Sequence, residues 1–336
     1  MFIYQGDFFY KYILSTTKNN TKLLKQEEVS NAYSLMHKPK RNGVRKIQCL
    51  KKDTELYVLQ KKLLHRFLES IPLSESCYGF VKGRSYFDFL NKHTYPKDEV
   101  RHFLKVDIKD FFHSISSDKV AQSLSHYIKT DSIEENREIL RTINRIVTLD
   151  SSLPQGAVTS PCLSNIVFRR IDIRLLKYCE RFNVKYTRYA DDLLFSSESN
   201  VVLKAFFLNT LKKILKENHF DINFMKVRKS SQEIRFNGYV VGDQIRLSRK
   251  KTASLNRVLY ICDNETTAPK ILSSLKTSEG NNDRHFYTIE SLIRYLNGHR
   301  SFLIGFKRFQ KDKIRNSKVN NQIKNIEKSV LQLSQL

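Results

Sequence analysis

Tyr186-Thr187-Arg188-Tyr189-Ala190-Asp191-Asp192-Leu193-Leu194-Phe195 decides the fold of this 336-residue chain. Two apolar, strand-like arms flank Ala-Asp-Asp, which predicts a β-hairpin with paired carboxylates at its tip. Adjacent carboxylates repel, and between apolar strands they are costly without a counter-charge. A third acid stands in Phe103-Leu104-Lys105-Val106-Asp107-Ile108-Lys109-Asp110-Phe111-Phe112. Strand alternation puts Leu104, Val106 and Ile108 on one buried face and Phe103, Lys105 and Asp107 on the other. Asp107 is therefore expected to point away from the core at a strand end. Three such acids make a cluster of hard oxygen ligands suited to Mg²⁺. Two ions roughly 3.5–4 Å apart can activate an attacking hydroxyl and stabilise a leaving oxygen.

The charge balance points the same way. Lys plus Arg is 59 against 34 Asp plus Glu, a formal net charge of +25. That excess predicts a polyanionic partner, nucleic acid before an anionic membrane surface. No window approaches the ~18 consecutive apolar residues of a membrane span, so no membrane partner is expected. Met1–Leu14 carries Asp7 and Lys11 and lacks an apolar h-region, so no signal peptide is expected. The five cysteines are scattered without Cys-x-x-Cys spacing. This disfavours a disulfide framework or cysteine zinc site and makes a cytoplasmic location the expectation. No His-Glu-x-x-His spacing, phosphate-binding loop or nucleophile elbow occurs.

Around the hairpin the chain falls into three zones. Residues 1–70 read as mostly helical and basic, interrupted by a hairpin signal at Asn42-Gly43 between cationic arms. Val58, Leu59, Leu63 and Phe67 lie on one helical face. From about 100 to 245, strand-like runs (Phe103–Ile108, Lys185–Ala190, Leu193–Ser197, Ile234–Val241) alternate with helical stretches such as Leu203–Leu215. This predicts an α+β domain with an antiparallel sheet. The last ninety residues turn helical and basic, with Val319, Ile323, Ile326, Val330 and Leu333 on the apolar stripe of an amphipathic helix.

These residues carry a resemblance to reverse transcriptases of the bacterial retron and group II intron lineage. Asp107 to Phe112 resembles the first catalytic motif, Leu153-Pro154-Gln155-Gly156 to Pro161 the Pro-Gln-Gly motif, and Tyr189-Ala190-Asp191-Asp192 the Tyr-x-Asp-Asp box. Arg45-Lys46-Ile47 resembles the fingers motif, and Tyr78-Gly79-Phe80 through Arg84-Ser85 the block after it. Ile222-Asn223 with Lys226 resembles the post-catalytic loop, Phe236-Asn237-Gly238-Tyr239 the primer-grip hairpin, and Leu296-Asn297-Gly298-His299 part of the thumb. The resemblance implies a right-hand polymerase: an N-terminal helical region and fingers over 1–100, a palm over 101–245 with finger helices inserted around 115–160, and a basic helical thumb over 246–336.

The resemblance also implies roles. Asp107, Asp191 and Asp192 would be the catalytic acids and hold two Mg²⁺ ions, with Mn²⁺ as a substitute. Lys40, Arg45 and Lys46 would meet the triphosphate of an incoming deoxynucleotide, because cations neutralise charge that develops during transfer. Gln155 and Gly156 would line the sugar and templating pair, Gly156 allowing close backbone approach. Asp110 would sit beside the nucleotide, and Phe112 would be a steric gate below its sugar. Lys226 resembles the lysine that protonates pyrophosphate, while Arg188 and Tyr189 would flank the metals and contact the primer end. In the thumb, Arg300, Lys307, Arg308 and Lys311 are near helical spacing and would track a nucleic-acid backbone.

The implied partners are a structured non-coding RNA as template and primer, its cDNA, deoxynucleotides and an effector protein, in bacterial anti-phage defence. Two departures from the retron pattern keep other defence-associated reverse transcriptases open. Only His93 matches the Asn-Ala-x-x-His expected before the first catalytic motif, and Phe236-Asn237-Gly238 replaces Val-Thr-Gly. A group II intron-like enzyme, an RNA-dependent RNA polymerase and an RNA-binding protein with a decayed polymerase fold are the alternatives.

Overall fold

The computed structural model describes residues 1–22, 26–40, 43–277, 286–308 and 313–336. Strands β1 (Tyr33–Lys40) and β2 (Gly43–Leu50) pair antiparallel, with Lys40 opposite Gly43. Gly43, at φ 107°, belongs to the ladder, and Asn42 of the expected Asn-Gly step lies outside the described residues. After β2 comes helix α1 (Glu55–Arg66), capped by Thr54, whose side chain accepts from the Tyr57 amide. Leu59, Leu63 and Phe67 are buried as expected, but Val58 is exposed because its side chain falls off that face.

The central sheet has the order β4-β5-β3-β6, formed by β3 (His102–Asp107), β4 (Lys185–Tyr189), β5 (Asp192–Ser197) and β6 (Arg228–Ser231). Strand β5 runs antiparallel to both β3 and β4. Helices α2 (Ser117–Leu124), α3 (Ile133–Val147), α4 (Ser160–Glu180) and α5 (Ala205–Glu217) belong to the same unit, residues 1–89 and 102–229. Phe111, Phe168 and Phe220 form a ring cluster with centroids 5.2–6.0 Å apart. Leu203 stands in a short 3₁₀ turn before α5, so the apolar face begins two residues later than the spacing predicts. The alternation expected in β3 also fails: Phe103, Leu104, Val106, Asp107 and Ile108 are all buried, because tertiary packing covers both faces of the strand.

The second unit, residues 90–101 and 230–336, holds a three-stranded meander of β7 (Ile234–Phe236), β8 (Tyr239–Val241) and β9 (Ile245–Leu247). The run Ile234–Val241 is thus two strands. Asn237 (φ 46°) and Gly238 (φ 88°) supply the left-handed pair that a two-residue hairpin loop needs. Helices α6 (Arg249–Asn264), α7 (Ala268–Thr277), α8 (Ile289–Lys307) and α9 (Lys313–Leu333) follow. Val319, Ile326 and Leu333 of α9 are buried, as their spacing predicts. No described helix is long and apolar enough to cross a membrane.

One polar cluster sits inside the first unit. Arg188 of β4 is completely buried, and so is Asp172 in the middle of α4. The guanidinium donates to Asp172 Oδ1 (2.9 Å) and Oδ2 (2.8 Å), to Asn165 Oδ1 (3.1 Å) and to the Ala190 carbonyl (3.1 Å). The Tyr186 hydroxyl donates to the same Asp172 carboxylate at 2.8 Å. Removing one partner of such a pair strands a charge in low dielectric, a cost of about 3–5 kcal/mol. Asp172→Leu is therefore expected to lower unfolding stability by that order in urea denaturation. A loss below about 1 kcal/mol, the level of an exposed pair, would contradict this reading.

Candidate active site

The three acids meet where β3 ends and the β4–β5 hairpin turns. Asp107 and Asp192 are cross-strand partners, and the Ile108 amide donates to the Asp191 carbonyl at 2.9 Å, tying the tip to β3. Burial first, then the negative charges of Asp192 and Asp107, push the Asp191 carboxyl up to about 6. Lys226 Nζ donates to both Asp107 oxygens at 2.8 and 3.0 Å. Lys105 Nζ lies 3.1 Å from Asp192 Oδ1. Lysines thus occupy two of the three carboxylates, and among the described residues no three His, Cys, Asp or Glu side chains are gathered as metal ligands. The donor set still suits a hard divalent cation: all oxygen, and raised in energy by mutual repulsion at Asp191.

The tip owes its shape to close contacts. Ala190, in the two-residue loop between Tyr189 and Asp192, has φ 56°, a left-handed conformation that costs a non-glycine residue about 1–3 kcal/mol. Arg188 offsets this by donating to the Ala190 carbonyl. Gly79 presses on the other side, where a Cβ would lie 2.5 Å from the Ala190 nitrogen, so no side chain fits there. Asn165 Nδ2 donates to the Gly79 carbonyl at 2.8 Å, and the Tyr78 amide donates to the Arg188 carbonyl at 2.8 Å. Arg188, expected beside the primer, is instead sealed inside and holds the hairpin from behind. Asp172 and Asn165 were not singled out in the sequence, and Gly79 only as part of a family block. The available signal was Asn165 and Asp172, seven residues apart on the buried, mostly apolar face of α4.

Around this corner stand aromatic side chains. Phe112 is half-buried against the core, with the Phe111 ring at 5.5 Å and the Phe80 ring at 6.3 Å. Phe80 is 48% exposed at φ 59°, and its centroid is also 6.3 Å from that of Tyr189. Tyr189 is half-buried and packs edge-on against Tyr86 at 4.9 Å. Asp110 is exposed in the turn after β3, at φ 45°.

Among the cationic candidates, Arg45 and Lys46 are exposed on β2, and Lys46 lines a cleft of about 240 Å³ with Gln48, His113 and Asp150. Lys40 ends β1 opposite Gly43, and Lys311 lies outside the described residues. Gln155 is half-buried. Gly156 permits a close backbone approach, but to β2: its amide donates to the Gln48 carbonyl at 3.0 Å, and a Cβ would lie 2.4 Å from that oxygen. Arg300, Lys307 and Arg308 belong to the second unit. Arg300 Nε donates to Glu327 at 2.7 Å, whereas Lys307 and Arg308 are exposed at the end of α8.

Comparison with known proteins agrees with this geometry. Residues 36–241 match the family model "Reverse transcriptase (RNA-dependent DNA polymerase)". The retron Mx65 reverse transcriptase of Myxococcus xanthus is 31% identical over 238 residues, covering 66% of this chain and 54% of that protein. The retron Ec73 reverse transcriptase of Escherichia coli is 32% identical over 199 residues, covering 56% of this chain and 61% of the relative. The chain thus spans about half the length of the curated relatives it matches. Among solved structures, telomerase from Candida albicans with a telomeric RNA fragment aligns at TM-score 0.48 and 13% identity, over 88% of this chain and 63% of that one. With residues 36–241 matched, more than half of its length, the chain belongs to the reverse transcriptase family, with bacterial retron enzymes among its relatives.

Proposed function

We propose that this protein is an RNA-directed DNA polymerase. The observation that carries the reading is the convergence of Asp107, Asp191 and Asp192 on one sheet corner. In this reading the three aspartates hold Mg²⁺, which would supply charge neutralisation at the attacking and leaving oxygens. Lys226 and Lys105, paired with Asp107 and Asp192, are the counter-charges that a bound cation would replace. Arg45 and Lys46 meet the triphosphate, and Tyr189 with Phe80 forms an aromatic wall at the hairpin. The finer reading, copying a structured non-coding RNA in anti-phage defence with an effector partner, rests on the likeness to retron enzymes. RNA-templated synthesis of RNA, or RNA binding without synthesis, are the competing outcomes of the same assay.

Primer extension on an RNA template, with deoxy- and ribonucleotides compared, is the direct test. The wild-type protein should add deoxynucleotides only with Mg²⁺ or Mn²⁺. Asp191→Asn should abolish addition while RNA affinity stays within about twofold, since it removes a ligand charge and no phosphate contact. Near wild-type extension by Asp191→Asn would sink the metal assignment.

Phe112 is assigned to the sugar. A flat ring there leaves no room and no hydrogen-bond partner for a 2′-hydroxyl, a penalty of about 1–3 kcal/mol. Phe112→Val should raise ribo- over deoxynucleotide kcat/KM by about tenfold. Because Phe112 also packs against the core, a folded variant with an unchanged ratio would assign it to packing alone.

A further inference from the structure

Within the second unit, α6, α9 and β9 enclose a cleft of about 650 Å³ that the catalytic reading leaves unused. That volume falls in the range of sites that take small flat ligands. Its floor is apolar, made by buried Leu259, Val319 and Phe306. Its walls are not. Asn256 on α6 and Asn321, Gln322 and Asn325 on α9 bring four carboxamides to one opening. Gln322 Nε2 donates to Asn256 Oδ1 at 3.3 Å. The Asn256 amino group and the Gln322 carbonyl, a donor and an acceptor, are then left for an occupant.

The rim selects the ligand further. Tyr260 is 67% exposed beside the floor, a ring on which another ring can stack. Lys318 supplies positive charge, Arg246 is paired with Glu233, and the carboxylate in the lining, Asp263, lies 3.3 Å from the Lys328 ammonium. An apolar helix laid in this cleft would leave the carboxamides unsatisfied, which is costly. A paired RNA helix offers phosphates but no exposed base face. A single unpaired nucleotide meets every element: an apolar floor, a stacking ring, planar amides that match base edges, and a cation for the phosphate.

We propose that this cleft binds an unpaired nucleobase of a single-stranded RNA segment. The inference rests on the reading of the chain as an RNA-templated polymerase for its partner, but the site is separate from the catalytic aspartates.

The test uses the full chain and a short uridine oligoribonucleotide carrying one 4-thiouridine, photocrosslinked and mapped by mass spectrometry. Crosslinks are expected on α6 or α9 peptides lining the cleft. Their yield should fall about tenfold in Asn256→Ala/Gln322→Ala, and likewise in Tyr260→Ala, an exposed change that spares the fold. An abasic oligomer of equal length should compete about tenfold less well than the intact one. Crosslinks confined to other segments, or equal competition by the abasic oligomer, would overturn the proposal. Primer extension by the same preparation keeps the two readings apart. Its failure with the crosslink in place counts against the polymerase and not the base site.

Discussion

The corner where the three aspartates meet depends on a charge buried where no solvent reaches it. Arg188 can occupy the interior only because Asp172 neutralises it, Asn165 and the Ala190 carbonyl take further donors, and the Phe168 ring lies 4.6 Å from the guanidinium carbon. Such a pair adds little net stability, since desolvation offsets much of the attraction. Its effect is geometric. One arm reaches past β4 to the carbonyl of a residue held at positive φ, fixing the turn that carries Asp191.

On the open side of that turn the opposite problem arises. Asp107 and Asp192 face each other across two strands, and Asp191 is already driven towards its neutral form by burial and by them. Lys226 and Lys105 relieve part of the repulsion. The hairpin is therefore rigid behind and electrostatically frustrated in front, a state in which a divalent cation has most to gain. Gly79 and Gly156 play a matching structural part. Each lets another segment approach within the radius of a Cβ, Gly79 at the hairpin tip and Gly156 at β2.

Much of this was legible in the sequence because it is local. The Ala-Asp-Asp hairpin, the strand ending at Asp107, the β1–β2 hairpin and the α9 stripe follow from periodicity and turn chemistry. What could not be read is long-range. Alternation predicted an open face for Asp107, but packing from distant segments covers both faces of β3. Arg188 looked like a nucleic-acid contact because its acid stands sixteen residues away on a helix that only the tertiary fold brings near. The close backbone approach that Gly156 permits is to β2, a pairing far away in sequence.

The Arg188–Asp172 pair shapes the hairpin more than it stabilises the fold. Single-turnover primer extension by Arg188→Met/Asp172→Leu/Tyr186→Phe, with its melting temperature, tests this most directly. Apolar replacement of the whole cluster leaves no stranded charge, so the melting temperature should change little. The maximal extension rate should nevertheless fall by at least about tenfold, because an aspartate displaced by about 1 Å loses that and more. A folded triple variant that extends primers at the wild-type rate would contradict the account.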